Sequence, residues 1–341
     1  MVMGGKSEPT VADWRRLYQQ AQLFRERAPW DWLTDSQVFA VQDPTSDEVA
    51  YCSIMGAGGM QYGLIAYLGY PGLRSFVCIA NEALDEDDAM LVQDCLAFYL
   101  GDRETVDSAD RSVHAALGLR FRGRGAWPVF RRHRPVYLPA HLNPWEAQFL
   151  GTCLEQACRL VEGLIGGQSL PEVPPGDWLL GRRPDEGGGW ATSVLPFPLP
   201  PPASELSVDE VRLKRVQRKC PRAPWTWEVR IQSLAPIMDE KEGVPYFSRT
   251  LLCVDQKSGM VLQANVLGLH DGLQEALLET AEQAGALPEA LRLTSGYLEA
   301  ELRPLADALG IKVRRAKRLP ELDRASRALK AAIQGAWPRP R

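Results

Sequence analysis

The sequence lacks the patterns that mark membrane, secreted and zinc-binding proteins. No run in its 341 residues approaches the ~18 apolar residues that span a bilayer, and its start has no apolar segment typical of a signal peptide. Its seven cysteines are scattered without a Cys-x-x-Cys pair, and its four histidines do not pair with other metal ligands. We therefore expect a cytoplasmic protein without disulfides, metal or cofactor, and without a membrane partner.

Complete catalytic motifs are missing as well. There is no Gly-Lys-Ser/Thr, no Gly-x-Ser-x-Gly and no His-Glu-x-x-His. Gly56–Gly59 superficially resembles a phosphate loop, but an extended run follows it where phosphate binding requires a helix. A hairpin turn is the better interpretation. The sequence favours a non-enzyme and leaves the question open.

Charge is nearly balanced overall but unevenly distributed. The formal net charge of −4 gives no global attraction to nucleic acid, so such a partner would need a local patch. Arginines interleave with aromatic residues in one stretch, and basic residues also cluster over 212–222 and 312–318. The candidate nucleic-acid contacts are Arg120, Arg122, Arg124, Arg131, Arg132, Arg134, Arg314 and Arg315. Arginine with aromatics suits phosphate contact and base stacking, and the alternative is solvent-exposed strand faces paired with acids.

The first 167 residues read as an α+β domain with an antiparallel sheet. Helical periodicity predicts a helix over 11–26, and the cap Asn143 with Glu146 predicts another that runs to about Leu164. Extended runs predict strands over 37–42, 49–54, 61–68, 73–80, 117–121 and 129–132. A further helix is predicted over 86–100, with Asp85 as its cap.

Composition then changes twice. Residues 168–222 are rich in Pro and Gly and predict a linker or irregular wrap, partly polyproline near Pro200. Residues 223–336 predict a C-terminal domain with three strands in a meander followed by α-β-α-β-α. The expected fold class is therefore α/β with two domains.

Two resemblances add to this interpretation. Across nearly the whole chain, Trp14-x-x-Leu17-Tyr18, Pro29-Trp-Asp-Trp32, Tyr51-x-x-Ile-Met-Gly56, Pro128-x-Phe130 and Pro144-Trp-Glu-Ala147 resemble an uncharacterised family of bacterial two-domain proteins. That resemblance implies the architecture and no activity. The C-terminal element order resembles the ribonuclease H-like core of integrases and transposases, with Thr250–Val261, Leu291–Gly296 and Ala308–Lys312 at corresponding steps.

The ribonuclease H-like resemblance implies where catalytic acids would stand. Such cores hold two metal ions between carboxylates. Glu228 on the first strand stands near the first acid, although Arg230 could equally occupy that place. Thr294 and Ser295 replace the acid that precedes Gly296. Weak catalytic candidates are Glu228, Asp255 and Glu321, with Asp323 as an alternative to the last.

Three functional hypotheses remain. The first is a non-catalytic interaction protein, with a protein or polar ligand as partner, whose ribonuclease H-like domain has lost its metal site. The second is a nucleic-acid-binding protein that uses the arginine clusters. The third is a divergent metal-dependent nuclease or hydrolase.

Overall fold

The computed structural model describes residues 8–81, 84, 86–168, 171–173, 178–185, 187–198, 204–239, 241 and 243–336. Its helices are α1 (Val11–Arg27), α2 (Gly69–Ala80), α3 (Glu86–Val92), α4 (Ser108–Leu117), α5 (Pro144–Ile165), α6 (Glu210–Lys219), α7 (Leu273–Ala284), α8 (Gly296–Leu309) and α9 (Pro320–Ala336). Its strands are β1 (Phe39–Gln42), β2 (Val49–Met55), β3 (Gly63–Leu68), β4 (Cys95–Gly101), β5 (Trp127–His133), β6 (Trp178–Pro184), β7 (Trp190–Pro196), β8 (Arg222–Met238), β9 (Pro245–Asp255), β10 (Val261–Gln263), β11 (Val266–Leu267), β12 (Leu287–Leu293) and β13 (Lys312–Arg315).

Reciprocal capping fixes the start of the two longest helices of the N-terminal part. The N–H of Glu146 donates to the side chain of Asn143 (2.9 Å), and the N–H of Asn143 donates to Glu146 (2.8 Å). Thr10 and Asp13 make the same pair of bonds at the start of α1. The predicted helices over 11–26 and 143–164 are thereby confirmed.

The chain folds into two units, each with its own mixed sheet. The first unit comprises residues 1–77, 93–135 and 139–200, and the second comprises 78–92, 136–138 and 201–341. The α/β class is as expected. None of the helices in the described part of the chain is long and apolar enough to cross a membrane. The seven cysteines are free thiols, and six of them are buried.

The sheet of the first unit has the order β5-β4-β3-β2-β1-β6-β7. Every neighbouring pair is antiparallel except β1 and β6, which are parallel. The antiparallel sheet expected within residues 1–167 is therefore confirmed for β1–β5, and the parallel pair arises where β6, from the segment predicted as a linker, joins β1. Parallel strands need a long crossover between them, and here the chain passes through α5 before it returns as β6.

Three predicted elements of the first half are wrong. Residues 73–80 form helix α2, where a strand was expected, and the predicted helix over 86–100 ends at Val92 and is followed by strand β4. No strand forms over 117–121, because α4 ends at Leu117 and Gly118 caps it in the left-handed conformation (φ 69°). β4 is almost wholly buried, so its apolar run lacks the alternation that distinguishes a strand from a helix. Asp85 lies outside the described residues.

The segment predicted as a linker carries regular structure. β6 and β7 form an antiparallel hairpin that extends the first sheet, and α6 follows at Glu210–Lys219. Trp190 packs against the core of the first unit. The polyproline stretch 199–203 lies outside the described residues.

The second unit contains the predicted meander and the alternating helices and strands. Its sheet has the order β10-β9-β8-β12-β13, with β11 on β9. β8 pairs antiparallel with β9 and parallel with β12. Side chains alternate along β8, so Trp227, Val229 and Ile231 join the core formed with α7 and α8, whereas Glu228 and Arg230 face the side on which α9 lies.

Candidate nucleic-acid interface

The loop between α4 and β5 presents three arginines to solvent. Arg120, Arg122 and Arg124 are exposed and make no ion pair with any residue that the structure describes. Glycines 118, 123 and 125 within the loop adopt positive φ angles of 69°, 93° and 58°, a conformation that glycine reaches without steric cost. We call Gly118–Ala126 the arginine loop.

Aromatic rings line the base of the arginine loop. The ring centroid of Phe121 lies 5.0 Å from that of His114, 5.8 Å from that of Trp127 and 6.2 Å from that of Tyr18. The Phe121 and Tyr18 rings are inclined by only 24°. Phe121 and Trp127 are half-buried, so each keeps part of its ring accessible.

Two clefts adjoin at this loop and share Leu119, Arg120 and Phe121. The α1 cleft, of about 670 Å³, lies between α1 and the loop, and the α4 cleft, of about 890 Å³, lies between α4 and the loop. Their described lining includes seven arginines against three acidic residues. These are Arg15, Arg25, Arg103, Arg111, Arg120, Arg122 and Arg124, and Glu26, Asp102 and Glu104. This arginine surface is therefore positive on a chain whose net charge is −4.

His114 adds an unused polar atom to the α4 cleft. Its side chain lines the cleft and is 5% exposed, and its buried Nε2 has no hydrogen-bond partner among the described residues. Burial lowers the pKa of His114, and nearby Asp110 partly opposes that shift. The imidazole is therefore neutral near pH 7 and can accept or donate one hydrogen bond.

Three of the predicted contacts do not belong to the arginine surface. Arg131 is buried and donates to Asp110 (2.7 Å) and Asp107 (3.3 Å). Arg132 pairs with Asp94 (2.5 Å) and Glu146 (3.1 Å), and Arg134 has contacts of its own within the fold. The charges of Arg131 and Arg132 are used in ion pairs, whereas Arg120, Arg122 and Arg124 make no ion pair with the described residues.

Arg314 and Arg315 lie on strand β13 of the second unit. Both are exposed, and Arg315 donates to the carbonyl oxygen of Thr294 (2.9 Å). The structure gives them no aromatic neighbour of the kind that Phe121 and Trp127 provide in the first unit, within the part of the chain that it describes. Because successive side chains of a strand point to opposite faces of the sheet, these two arginines do not form one basic surface.

The three weak catalytic candidates, Glu228, Asp255 and Glu321, form hydrogen bonds and ion pairs within the fold. Glu228 is fully buried, accepts a hydrogen bond from the backbone N–H of Leu322 at the start of α9 (2.9 Å), and lies 3.5 Å from the guanidinium of Arg292. Asp255 accepts two bonds from Ser258 in the turn after β9. Glu321 pairs with Arg324 (2.6 Å). Arg230 pairs with Asp323 (2.9 Å) on the same side of the sheet.

These carboxylates do not assemble a metal site. Among the described residues, the one group whose ligand atoms lie within 4.8 Å of one another is Asp107, Asp110 and His141, in the first unit. Arg131 already occupies oxygens of both aspartates, and His141 bonds to Asp107 (2.9 Å). A guanidinium at this position disfavours a divalent cation by charge repulsion. The group is an ion-pair network in which Asp110 is buried while Asp107 and His141 are exposed.

Burial of two histidines predicts a loss of stability in mild acid. Burial lowers the pKa of His114 and, together with Arg132 and Arg131, that of His133. The unfolded chain then binds more protons than the folded chain below about pH 6.5, so the free energy of unfolding should fall as pH drops through that value. Urea unfolding at about pH 7.5 and about pH 5.5 measures this difference. The variant His114→Phe should show a smaller decrease than the wild type, and an identical decrease in both would contradict the assignment.

Two known domain families match the chain, one in its N-terminal part and one in its C-terminal part. Residues 14–177 match DUF7309, described as a domain of unknown function. Residues 212–330 match DUF6930, described in the same words. The chain joins two domains of unknown function. No curated protein matches it. The arginine surface lies wholly within the DUF7309 domain, and Glu228 and Glu321 lie within the DUF6930 domain.

Sequence patterns alone miss four of the seven arginines of the arginine surface. Arg15 and Arg25 on α1 belong to it, as do Arg103 and Arg111, because the fold brings α1 and α4 to either side of the arginine loop. Helix α4 itself carries a local signal, the capping pair Asp107 and Asp110, in a stretch where no helix was predicted. That pair would have indicated the helix but not its position beside α1.

Proposed function

We propose that this is a non-catalytic binding protein whose DUF7309 domain binds single-stranded nucleic acid on the arginine surface. The supporting observation is the arginine loop, where three exposed arginines without ion-pair partners among the described residues flank a half-buried Phe121. Guanidinium groups contact phosphates in any sequence, and aromatic rings stack on bases that are not already paired. A single strand offers both groups, whereas a duplex hides its base faces.

For the DUF6930 domain we propose a ribonuclease H-like core without its metal site. The strand order β10-β9-β8-β12-β13 and the predicted element order support the fold. The bonds that Glu228 makes to Leu322 and Arg292 support the loss of metal chemistry, since a metal ligand needs free oxygens. The free thiols support a cytoplasmic location, where disulfides are rare. A bacterial origin rests on the sequence resemblance alone.

Salt dependence tests the proposed binding directly. The full chain should bind a fluorescently labelled single-stranded oligonucleotide more tightly than the matching duplex, because only the single strand offers bases for stacking. The logarithm of its affinity should fall linearly with the logarithm of salt concentration, with a slope of about −2 from the three loop arginines at ~0.7 each and a steeper slope if other arginines of the surface also contact phosphates. Fluorescence anisotropy measures both quantities. Undetectable binding at low salt would reject the proposal and leave a protein partner as the better hypothesis.

A further inference from the structure

The α1 cleft differs from the rest of the arginine surface in having an apolar floor. Leu100, Ala126 and Pro128 are buried beneath it, and Leu117 and Leu119 are half-buried at its side. Polar groups stand at the rim, where the arginines of α1 and the amides of Gln19 and Gln22 are exposed. A phosphate gains nothing from an apolar floor, whereas a flat group with apolar faces and polar edges matches both parts.

Phe121 forms the wall between the two clefts. Its ring lies nearly parallel to that of Tyr18, and His114, whose buried Nε2 has no partner among the described residues, lies 5.0 Å away between ring centroids. A half-buried ring supported by neighbouring rings can serve as a stacking platform.

We propose that the α1 cleft receives one unstacked nucleobase, which stacks on Phe121 while the phosphates on either side of it lie on the arginine loop and on the arginines of α1. Gln19 at the rim is placed to bond to the polar edge of the base, since an amide both donates and accepts. Gln22 already donates to Glu26 (2.9 Å). This inference rests on the proposed function and specifies which chemical group of the strand the domain holds.

An oligonucleotide with and without bases tests the inference. Phe121→Leu keeps an apolar side chain but removes the ring, and should lower the affinity for a base-bearing oligonucleotide about tenfold. Its affinity for the same strand with abasic residues should be unchanged, because phosphate contacts remain. Trp32→Leu is the matched control, since Trp32 is a 47% exposed aromatic outside both clefts and should change neither affinity.

The outcomes separate this inference from the proposed function. If the wild type binds abasic and base-bearing strands equally, the inference is wrong while phosphate binding stands. If the wild type binds neither strand, both the inference and the proposed function are wrong. Should Phe121→Leu fail to fold, photo-crosslinking of a 5-iodouracil oligonucleotide to the wild-type chain decides the matter. A crosslink on the peptide that contains Phe121 supports base capture there, and one confined to peptides outside the two clefts overturns it.

Discussion

Replacing Arg120, Arg122 and Arg124 together by glutamine should lower the affinity for a single-stranded oligonucleotide about 100-fold at ~0.1 M salt, since each phosphate contact contributes about fivefold there. The slope of affinity against salt should also become shallower by about 2, because three contacts of ~0.7 each are lost. Stability should barely change, because these side chains are exposed and unpaired with described residues. Fluorescence anisotropy across a salt series provides both numbers.

A matched variant separates a local surface from a general charge effect. Lys214, Arg218 and Lys219 on α6 are exposed in the second unit, and replacing them by glutamine removes the same charge. This control should retain wild-type affinity within about twofold, because screening weakens charges that do not contact the strand. If both triple variants lose affinity equally, binding follows net charge and not the arginine surface.

Replacing Glu228 by alanine should lower the free energy of unfolding by about 3 kcal/mol. The change removes a fully buried carboxylate, leaves the guanidinium of Arg292 without its partner, and leaves the N–H of Leu322 unsatisfied. Glu228→Gln keeps an acceptor for Leu322 and should be destabilised by less, since only the charge is lost. Urea unfolding of the full chain, followed by circular dichroism, measures the free energy of unfolding of each protein. We expect it to decrease from the wild type to Glu228→Gln and further to Glu228→Ala.

The same variants test the absence of metal-dependent cleavage. If Glu228 is structural, the wild type should not cleave a labelled oligonucleotide in Mg²⁺ or Mn²⁺, and the alanine variant should differ from it in stability alone. Cleavage by the wild type that Glu228→Gln abolishes without loss of stability would restore the nuclease hypothesis. Equal stability of all three proteins would contradict the buried bonds described for Glu228.

Local signals account for the elements that the sequence predicts correctly. The caps at Thr10 and Asn143 lie within three residues of their partners, so the starts of α1 and α5 can be read from short patterns. β4 cannot be read in this way. Its apolar run fits a buried helix as well as a buried strand, and only its pairing with β3 and β5 decides between them.

Long-range pairing explains why only part of the candidate site could be predicted. Arg122 and Arg131 look equivalent in sequence, but Arg131 meets Asp110 from another element and becomes a buried ion pair. Arg15 joins the surface from α1, far away along the chain. The sequence therefore identified Arg120, Arg122 and Arg124 as candidates, but it predicted a strand over 117–121 in place of the loop and did not identify the acids that neutralise the neighbouring arginines.

Hydrogen–deuterium exchange of the full chain, with and without a single-stranded oligonucleotide, tests the central claim most directly. Our account predicts slower exchange in residues 108–127 and in α1, with no change over residues 287–315. Slower exchange confined to residues 287–315, or no change anywhere under conditions where the strand is bound, would contradict it.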